Sequence, residues 1–336
     1  MAVILVTGGA GYIGSVTTAH LIEAGHEVIV LDNLSRGRRD LIHPQARFIR
    51  GDVMELETHI SERDAIDAVF HFAAYSAAGE AARHPELYWH NNTTASLHML
   101  DVMRRLQIKK LIFSSTCFTY GAAKHLPITE THATQPTNPY GMSKLAVDMA
   151  IRSECDAHGL AAVSFRYFNV GGAYGEYGEL HDSETRIIPL ALAAADQGAP
   201  FALFGDDYDT FDGSCIRDYI HVADLARAHL LTLPTLKPGK HAIYNLGNGQ
   251  GFSNRQVLQT AQEVTGKTLA VTVRPRRTGD PAALVASSVK ASREIGWQPQ
   301  KPLLRTIVQD AWDFYRLHHP STVVSEYATE LDAMVH

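Results

Sequence analysis

The sequence predicts an α/β protein, a doubly wound parallel sheet with helices on both faces and a smaller C-terminal region beside it. Three observations predict it. The chain opens on an apolar run that enters a glycine-rich turn, MAVILVTGGAGYIGS from Met1 to Ser15. A second apolar run, EVIVL from Glu27 to Leu31, ends at Asp32. Strand-like and helical segments then alternate through the first half, which implies βαβ units and hence a parallel sheet covered on both sides.

Val3–Thr7 has the short, continuous apolar pattern of a strand buried on both faces. Gly9, Gly11 and Gly14 fit G-x-G-x-x-G, and Gly8 extends the pattern by one step. Small residues there let the backbone turn tightly, approach a pyrophosphate and pack the next helix close. That helix, expected near Ile13–Ala24, aims its N-terminal N–H groups at the phosphates. Asp32 then stands close to the ~20-residue distance expected of the acid that binds an adenosine ribose. Its charge favours NAD over NADP, because it repels a 2′-phosphate. Arg36, Arg38 and Arg39 lie close by and read alternatively as solvated surface cations. Glycines also fill ordinary strand–helix turns, so it is the joined pattern that points to a dinucleotide site of Rossmann type.

Further strands are expected at Ala46–Arg50, Ala68–Phe72, Lys110–Ser114 and Ala162–Tyr167, with helices at Leu87–Leu106 and Tyr140–His158. Ala46–Arg50 runs into Gly51-Asp52-Val53, a candidate adenine contact. The run from Val69 ends in Phe72-Ala73-Ala74, small enough to bring backbone near a cofactor. Both read equally as plain strand ends. After Asn169 the texture changes to Gly, Tyr and Pro, and one more sheet strand is expected near His241–Leu246. The expected division is a dinucleotide-binding domain over 1–170, to which the chain returns near 215–246, and a mainly substrate-binding part over 171–336 that covers the carboxyl ends of the strands, where such folds bind ligands.

Composition narrows the class. The 336 residues are 45% hydrophobic, enough for a substantial core. A net charge of −6 without a basic stripe argues against nucleic acid. No apolar run approaches membrane-spanning length. The chain enters a strand at once, so no signal peptide is expected. Cys117, Cys155 and Cys215 are far apart and odd in number, which suggests a reducing, cytoplasmic setting. The eighteen histidines form no H-E-x-x-H pattern, no C-x-x-C is present, and His318 and His319 read as surface residues, so no metal site is expected.

The chemistry-bearing segment is NPYGMSK, Asn138 to Lys144. Tyr140 and Lys144 are four residues apart and share one face of a helix. A free phenol has a pKa near 10, so about one in a thousand is ionised at neutral pH, and bringing it near 7 takes ~4 kcal/mol. One ammonium ~4 Å away supplies roughly that at an effective dielectric of ~20. The expectation is therefore a tyrosine general base, its pKa lowered by Lys144 and by an oxidised nicotinamide. Y-x-x-x-K is common by chance, and a surface helix is the plain alternative. Ser114-Ser115-Thr116 at a strand end, able to hydrogen-bond a substrate oxygen, and Asn138-Pro139 at the helix entry strengthen the catalytic reading. Together these segments imply an enzyme that works on a carbon–oxygen bond with a nicotinamide cofactor.

Along nearly its whole length the chain resembles the extended short-chain dehydrogenase/reductase superfamily and, within it, the UDP-glucose 4-epimerase family, its actinobacterial branch most. TGGAGYIGS, VLDNLS, HFAA, NNT, FSST, NPYGMSKLAVD, RYFNVGGA, FGDDYDT, IRDYIHVADLARAH, YNLGNG and RPRRTGDP carry the likeness in order. The resemblance implies an isomerase that inverts C4 of a UDP-hexose through a transient 4-keto sugar, with UDP-glucose/UDP-galactose as the default pair, recycled NAD as cofactor, and a homodimer. It implies NAD contacts from Tyr12, Ile13, Asp32, Asn33, Ser35, Asp52, Val53, Phe72, Ala73, Ala74, Ser76, Asn91, Ser114, Lys144 and Phe168. Thr116 would stand beside the base Tyr140. Asn169 and Tyr219 would meet the substrate, Ala202, Leu203 and Phe204 would line a uracil pocket, and Arg217, Arg277 and Asp280 would hold the diphosphate and ribose, bidentate work suited to arginine. For Arg274 and Arg276 the expectation is no more than surface pairing.

Departures from the family pattern carry information. Val16 stands where many relatives have His, and Ser76 where some have Lys. Cys117 and Phe118 follow Thr116 where a 4,6-dehydratase has Asp-Glu, which argues against dehydration. Phe118 is expected to narrow the sugar pocket. Arg186 stands where relatives often have His or Asn, near the expected C6 edge. It prompts a second reading, UDP-glucuronate 4-epimerisation with Arg186 on the C6 carboxylate, and an ordinary phosphate or surface role is the alternative. From a different class, an NAD-binding regulator without turnover would need a decayed site, against which the intact Thr116, Tyr140 and Lys144 count.

Overall fold

The computed structural model describes residues 1–123, 125–180, 186–276 and 280–319. Six strands follow one another into the central sheet: β1 (Val3–Thr7), β2 (Glu27–Asp32), β3 (Arg47–Arg50), β4 (Ala68–His71), β5 (Lys110–Thr116) and β6 (Ala161–Tyr167). The next three, β7 (Asn169–Gly171), β8 (Phe201–Phe204) and β9 (Ile216–His221), leave it, and β10 (His241–Leu246) rejoins it. The seven strands lie in the order β3-β2-β1-β4-β5-β6-β10 and every pairing is parallel. The winding reverses between β1 and β4, so the crevice above their carboxyl ends is the point at which doubly wound sheets bind ligands.

Both faces of the sheet are buried, which explains the unbroken apolar runs. Leu5, Val69 and Phe113 point to one face, against Met99 of the Ala95–Arg105 helix and Val147 and Ile151 of the Pro139–His158 helix. Their neighbours Ile4, Val6 and Phe70 point to the other, against Leu21 of the Tyr12–Glu23 helix and Leu225 and Ala228 of the Val222–Thr232 helix. A buried polar residue in this core, His71, is paired on both ring nitrogens. His71 is held between Thr7 Oγ1 (2.6 Å) and Ser96 Oγ (2.8 Å), and burial pushes it down to about 3, so it is neutral.

The helix expected over Leu87–Leu106 is broken. Pro85–Tyr88 and Ala95–Arg105 are α-helical, and Trp89–Thr94 between them is a wide π-helical turn. The extra residue in the turn brings Asn92 inward, where its amide exchanges bonds with the backbone of Tyr75: Tyr75 N–H to Oδ1 at 2.8 Å and Nδ2 to Tyr75 O at 2.9 Å. A tertiary contact has overridden the simple helical period, as such bulges often do beside functional sites.

The remaining strands β11 (Gly251–Ser253), β12 (Val271–Arg274) and β13 (Ala283–Leu284) build two small sheets over the carboxyl edge. In one, β9 pairs with β7, β11 and β13, and in the other β8 pairs with β12. A third cluster, with Leu192, Val257, Ile307 and Trp312, packs the helices of this region together. Residues 216–221 thus belong to a small sheet, and 241–246 to the large one.

Candidate active site

A cleft of ≈1570 Å³ runs between the carboxyl edge of the large sheet and the smaller region. Its floor is the turn after β1. Gly8 has φ +76°, and a Cβ there would lie 2.5 Å from the backbone nitrogen of Ala73. A Cβ on Gly14 would lie 2.2 Å from the carbonyl oxygen of Gly8. Glycine is required at both, so that the turn closes on β4 and the helix packs on the turn. Gly11 precedes the Tyr12–Glu23 helix and no side chain caps it, so the first N–H groups face the cleft. Tyr12 and Ile13 line it there.

Asp32 ends β2 and is 8% exposed. It accepts from Ala10 N (3.0 Å) and Leu34 N (2.8 Å), and burial nonetheless raises its carboxyl above the usual range. Asn33 donates to Asp52 Oδ2 (2.8 Å) and accepts from Ser35 N (2.9 Å), which ties the edges of β2 and β3 together. The nearby arginines are committed: Arg36 to Glu80, Arg38 to Asp40, and Arg39 over the ring of Phe48. Val53, Phe72, Ala73, Ala74, Ser76 and Asn91 also line the cleft.

At the other end of the cleft the Pro139–His158 helix begins on an Asn138 cap, whose side chain accepts from Gly141 N at 2.9 Å. Tyr140 is 8% exposed and Lys144 2%. Lys144 Nζ donates to the Ser114 carbonyl (2.8 Å) and lies 4.7 Å over the ring of Phe113. Tyr140 sits edge-on to Tyr88 and Phe118, with ring centroids 6.2 and 5.9 Å away.

Burial dominates the electrostatics of this pair. Without a cofactor, burial pushes Tyr140 up to about 12, and a bond from Thr116 and the charge of Arg186 offset it only in part. Burial likewise pushes Lys144 down to about 7, with Asp148 one helical turn on acting to raise it. Desolvation is the largest cause at both groups, a factor that a spacing of four residues leaves out.

The residues expected to meet the substrate also line this cleft, apart from those outside the described residues. Asn169 pairs with Tyr219 across β7 and β9, and Phe168 and Tyr219 are buried along the cleft. Ala202, Leu203 and Phe204 form β8 at its rim. Arg217 donates to the carbonyls of Ile216 and Pro281 (both 2.9 Å) and reaches Asp280 at 3.4 Å. Arg277 and the stretch Ser183–Thr185 lie outside the described residues. Arg276 pairs with Asp207 at 2.6 Å, the surface role expected of it. Arg186 reaches the cleft but pairs with Glu179, a side chain only 7% exposed, and donates to Ser76 Oγ at 3.1 Å. The bare cation that prompted the uronate reading is already matched by an anion. Sequence reasoning missed Glu179, Glu80, Tyr75 and Tyr88, whose parts depend on contacts between distant segments.

Comparison with known proteins agrees with this geometry. Residues 4–247 match the NAD dependent epimerase/dehydratase family, and the chain belongs to that family. It is 50% identical over 312 residues to a UDP-glucose 4-epimerase of Corynebacterium glutamicum, covering 93% of this chain and 95% of the relative. Among solved structures it is similar to the Brucella ovis UDP-glucose 4-epimerase in complex with NAD, with a TM-score of 0.88, 41% identity, and 94% and 98% of the two chains covered. It is also similar to the Bifidobacterium longum UDP-glucose 4-epimerase in complex with NAD+ and UDP, with a TM-score of 0.88, 34% identity, and 95% and 99% covered. Among the described residues no helix is long and apolar enough to cross a membrane.

Proposed function

We propose that this chain is an NAD-dependent UDP-sugar 4-epimerase acting on UDP-glucose and UDP-galactose. The observation that carries the reading is the joining, in one cleft, of the glycine turn and Asp32 with Thr116, Tyr140 and Lys144. The residues fit the cofactor: crowding that excludes a Cβ at Gly8 and Gly14, uncapped helix N–H groups, and a buried carboxylate at the ribose position. Gly8, Gly11, Gly14 and the Tyr12–Glu23 N-terminus would hold the pyrophosphate, Asp32 the adenosine ribose, Asp52 and Val53 the adenine, and Lys144 the nicotinamide ribose. Bound there, NAD supplies a hydride acceptor that is restored within each turnover.

Tyr140 takes the proton of the 4-hydroxyl as the sugar is oxidised, and returns it from the same position once the 4-keto sugar has presented its opposite face. Thr116 has one hydroxyl proton and donates it to the phenolate or to the sugar oxygen, favouring the charged form of whichever holds it. Arg217 and Asp280, with Asn169 and the β8 rim, hold the UDP end while the hexose rotates, so remote binding retains the intermediate. The pairing of Arg186 with Glu179 favours the neutral hexose over the uronate. The intact base and its partners favour turnover over a regulator that only binds NAD. In this reading 1–170, with the return that ends in β10 at 241–246, mainly serves the cofactor, and the remainder, Arg217 and Tyr219 of β9 included, mainly serves the sugar nucleotide. Leu87, Trp89 and Leu97, on the broken helical run 85–105, and Met142 and Met149, on the Pro139–His158 helix that packs against it, are exposed, which supports a homodimer through that face. Three widely spaced free cysteines, Cys117, Cys155 and Cys215, support a cytoplasmic setting.

The test is incubation of purified protein with UDP-galactose and no added nicotinamide, with products separated. UDP-glucose should form without accumulation of NADH. Stoichiometric NADH with a released keto or acid sugar would replace the epimerase by a dehydrogenase.

A further inference from the structure

In the sheet β1 lies between β2 and β4, so the loops that follow β2 and β4 flank the glycine turn on its two sides. Strands two apart are separated by ~10 Å, a gap that only long side chains bridge. One pair spans it. Arg36, from the loop after β2, meets Glu80 of the Ala78–Arg83 helix, beyond β4, at 2.6 Å. Both line the cleft. The guanidinium also lies 5.0 Å over the ring of Tyr75.

We propose that Arg36 and Glu80 form a latch across the mouth of the cofactor cleft that sets how slowly NAD leaves. The proposal rests on the NAD reading of this cleft and adds residues that the glycine fingerprint does not include. Ordinary exposed ion pairs contribute little, but this one is braced on both sides. The second carboxylate oxygen of Glu80 accepts from the hydroxyl of Tyr88 at 2.9 Å, and that hydroxyl also reaches the carbonyl of Ala77 at 2.7 Å. Tyr88 is fully buried and packs edge-on to Tyr140. Burial works to raise the Glu80 carboxyl, and the bonds from Arg36 and Tyr88 outweigh it, so it stays below the ordinary range and charged. Glu80 therefore has a fixed position, and Arg36 is the moving half, released whenever its loop lifts. An enzyme that restores its cofactor in every turnover gains from slow cofactor exchange, and a latch of this kind provides it without touching the reacting atoms.

The experiment measures NAD bound per chain after purification, and its release rate by trapping the free dinucleotide with an excess of a consuming dehydrogenase. Arg36→Ala and Glu80→Gln should each release NAD ~10-fold faster than the parent, the loss of one charge-assisted bond and one ring contact. The double variant should be no faster than either single one, because the two act as a unit. Glu80→Gln keeps an oxygen for Tyr88, so its fold is preserved, and thermal unfolding checks it. Salt should speed release from the parent and have little effect on Arg36→Ala. Arg47→Ala breaks an equally short pair, with Asp64 at 2.6 Å at the opposite end of β3, and should leave release unchanged. Release within twofold of the parent in both latch variants overturns the latch while leaving NAD binding intact. A parent that neither carries nor binds NAD overturns the reading of the cleft itself.

Discussion

The two walls of the cleft are made differently. The cofactor wall is mostly backbone: a turn in which Gly8 and Gly14 admit no Cβ, the first N–H groups of a helix, and Asp32 fixed by two main-chain donors. The sugar wall is mostly side chains reaching across the fold, such as Arg217 to Asp280 and Pro281, and Arg186 to Glu179 and Ser76. A backbone cradle tolerates no substitution where it is tight and binds one kind of ligand. A side-chain wall can be altered residue by residue.

If that division is right, substitutions at the two walls fail in different ways. The largest effect belongs to the base, where they meet. Tyr140→Phe should lower kcat by ~10²–10⁴-fold, the usual contribution of a positioned acid/base. NAD content and UDP-sugar affinity, measured by calorimetry, should hardly change. Gly14→Ala should strip the cofactor, because its Cβ has to displace the Gly8 carbonyl. Overpacking of this kind costs about 1–3 kcal/mol. NAD per chain should fall well below that of the parent and thermal stability should drop with it. A fully loaded Gly14→Ala would show that the turn has slack.

A smaller effect tests the electrostatics. In NAD-free protein Tyr140 is pushed up to about 12 and Lys144 down to about 7. At pH 8 the tyrosine should therefore be protonated and the lysine mostly neutral. Ultraviolet difference spectra between the parent and Tyr140→Phe should show no phenolate below pH ~10, since burial moves a phenol upward from its usual value. A phenolate band at neutral pH without NAD would mean that Lys144 alone activates the base. The smallest effect is expected on the side-chain wall. Arg186→Ala should reduce kcat/KM for UDP-glucose only several-fold, and no less than for UDP-glucuronate. Selective loss of the uronate would return Arg186 to the role of a carboxylate reader.

How far each wall was legible in the sequence follows from the same contrast. β1 and β10 have the predicted bounds, Val3–Thr7 and His241–Leu246, because an apolar run between glycine or polar breaks is a local signal. The Pro139–His158 helix begins one residue before the expectation, on its Asn138 cap. The turn at Trp89–Thr94 was not legible, since Asn92 leaves the helical period to bond Tyr75, seventeen residues earlier. Tyr88, Glu80 and Glu179 carry no motif and take their places from packing. The ionisation of Tyr140 depends on how deeply it is buried, which a spacing of four residues does not express.

The central claim is that this cleft inverts C4 without net oxidation, the hydrogen on C4 returning to the same carbon. The most direct measurement follows UDP-galactose deuterated at C4 through conversion in ordinary water, with the label located by NMR in the product. The account predicts UDP-glucose that retains deuterium at C4. Loss of the label to solvent would show that C4 is deprotonated instead, and would contradict the mechanism assigned to Tyr140 and the bound nicotinamide.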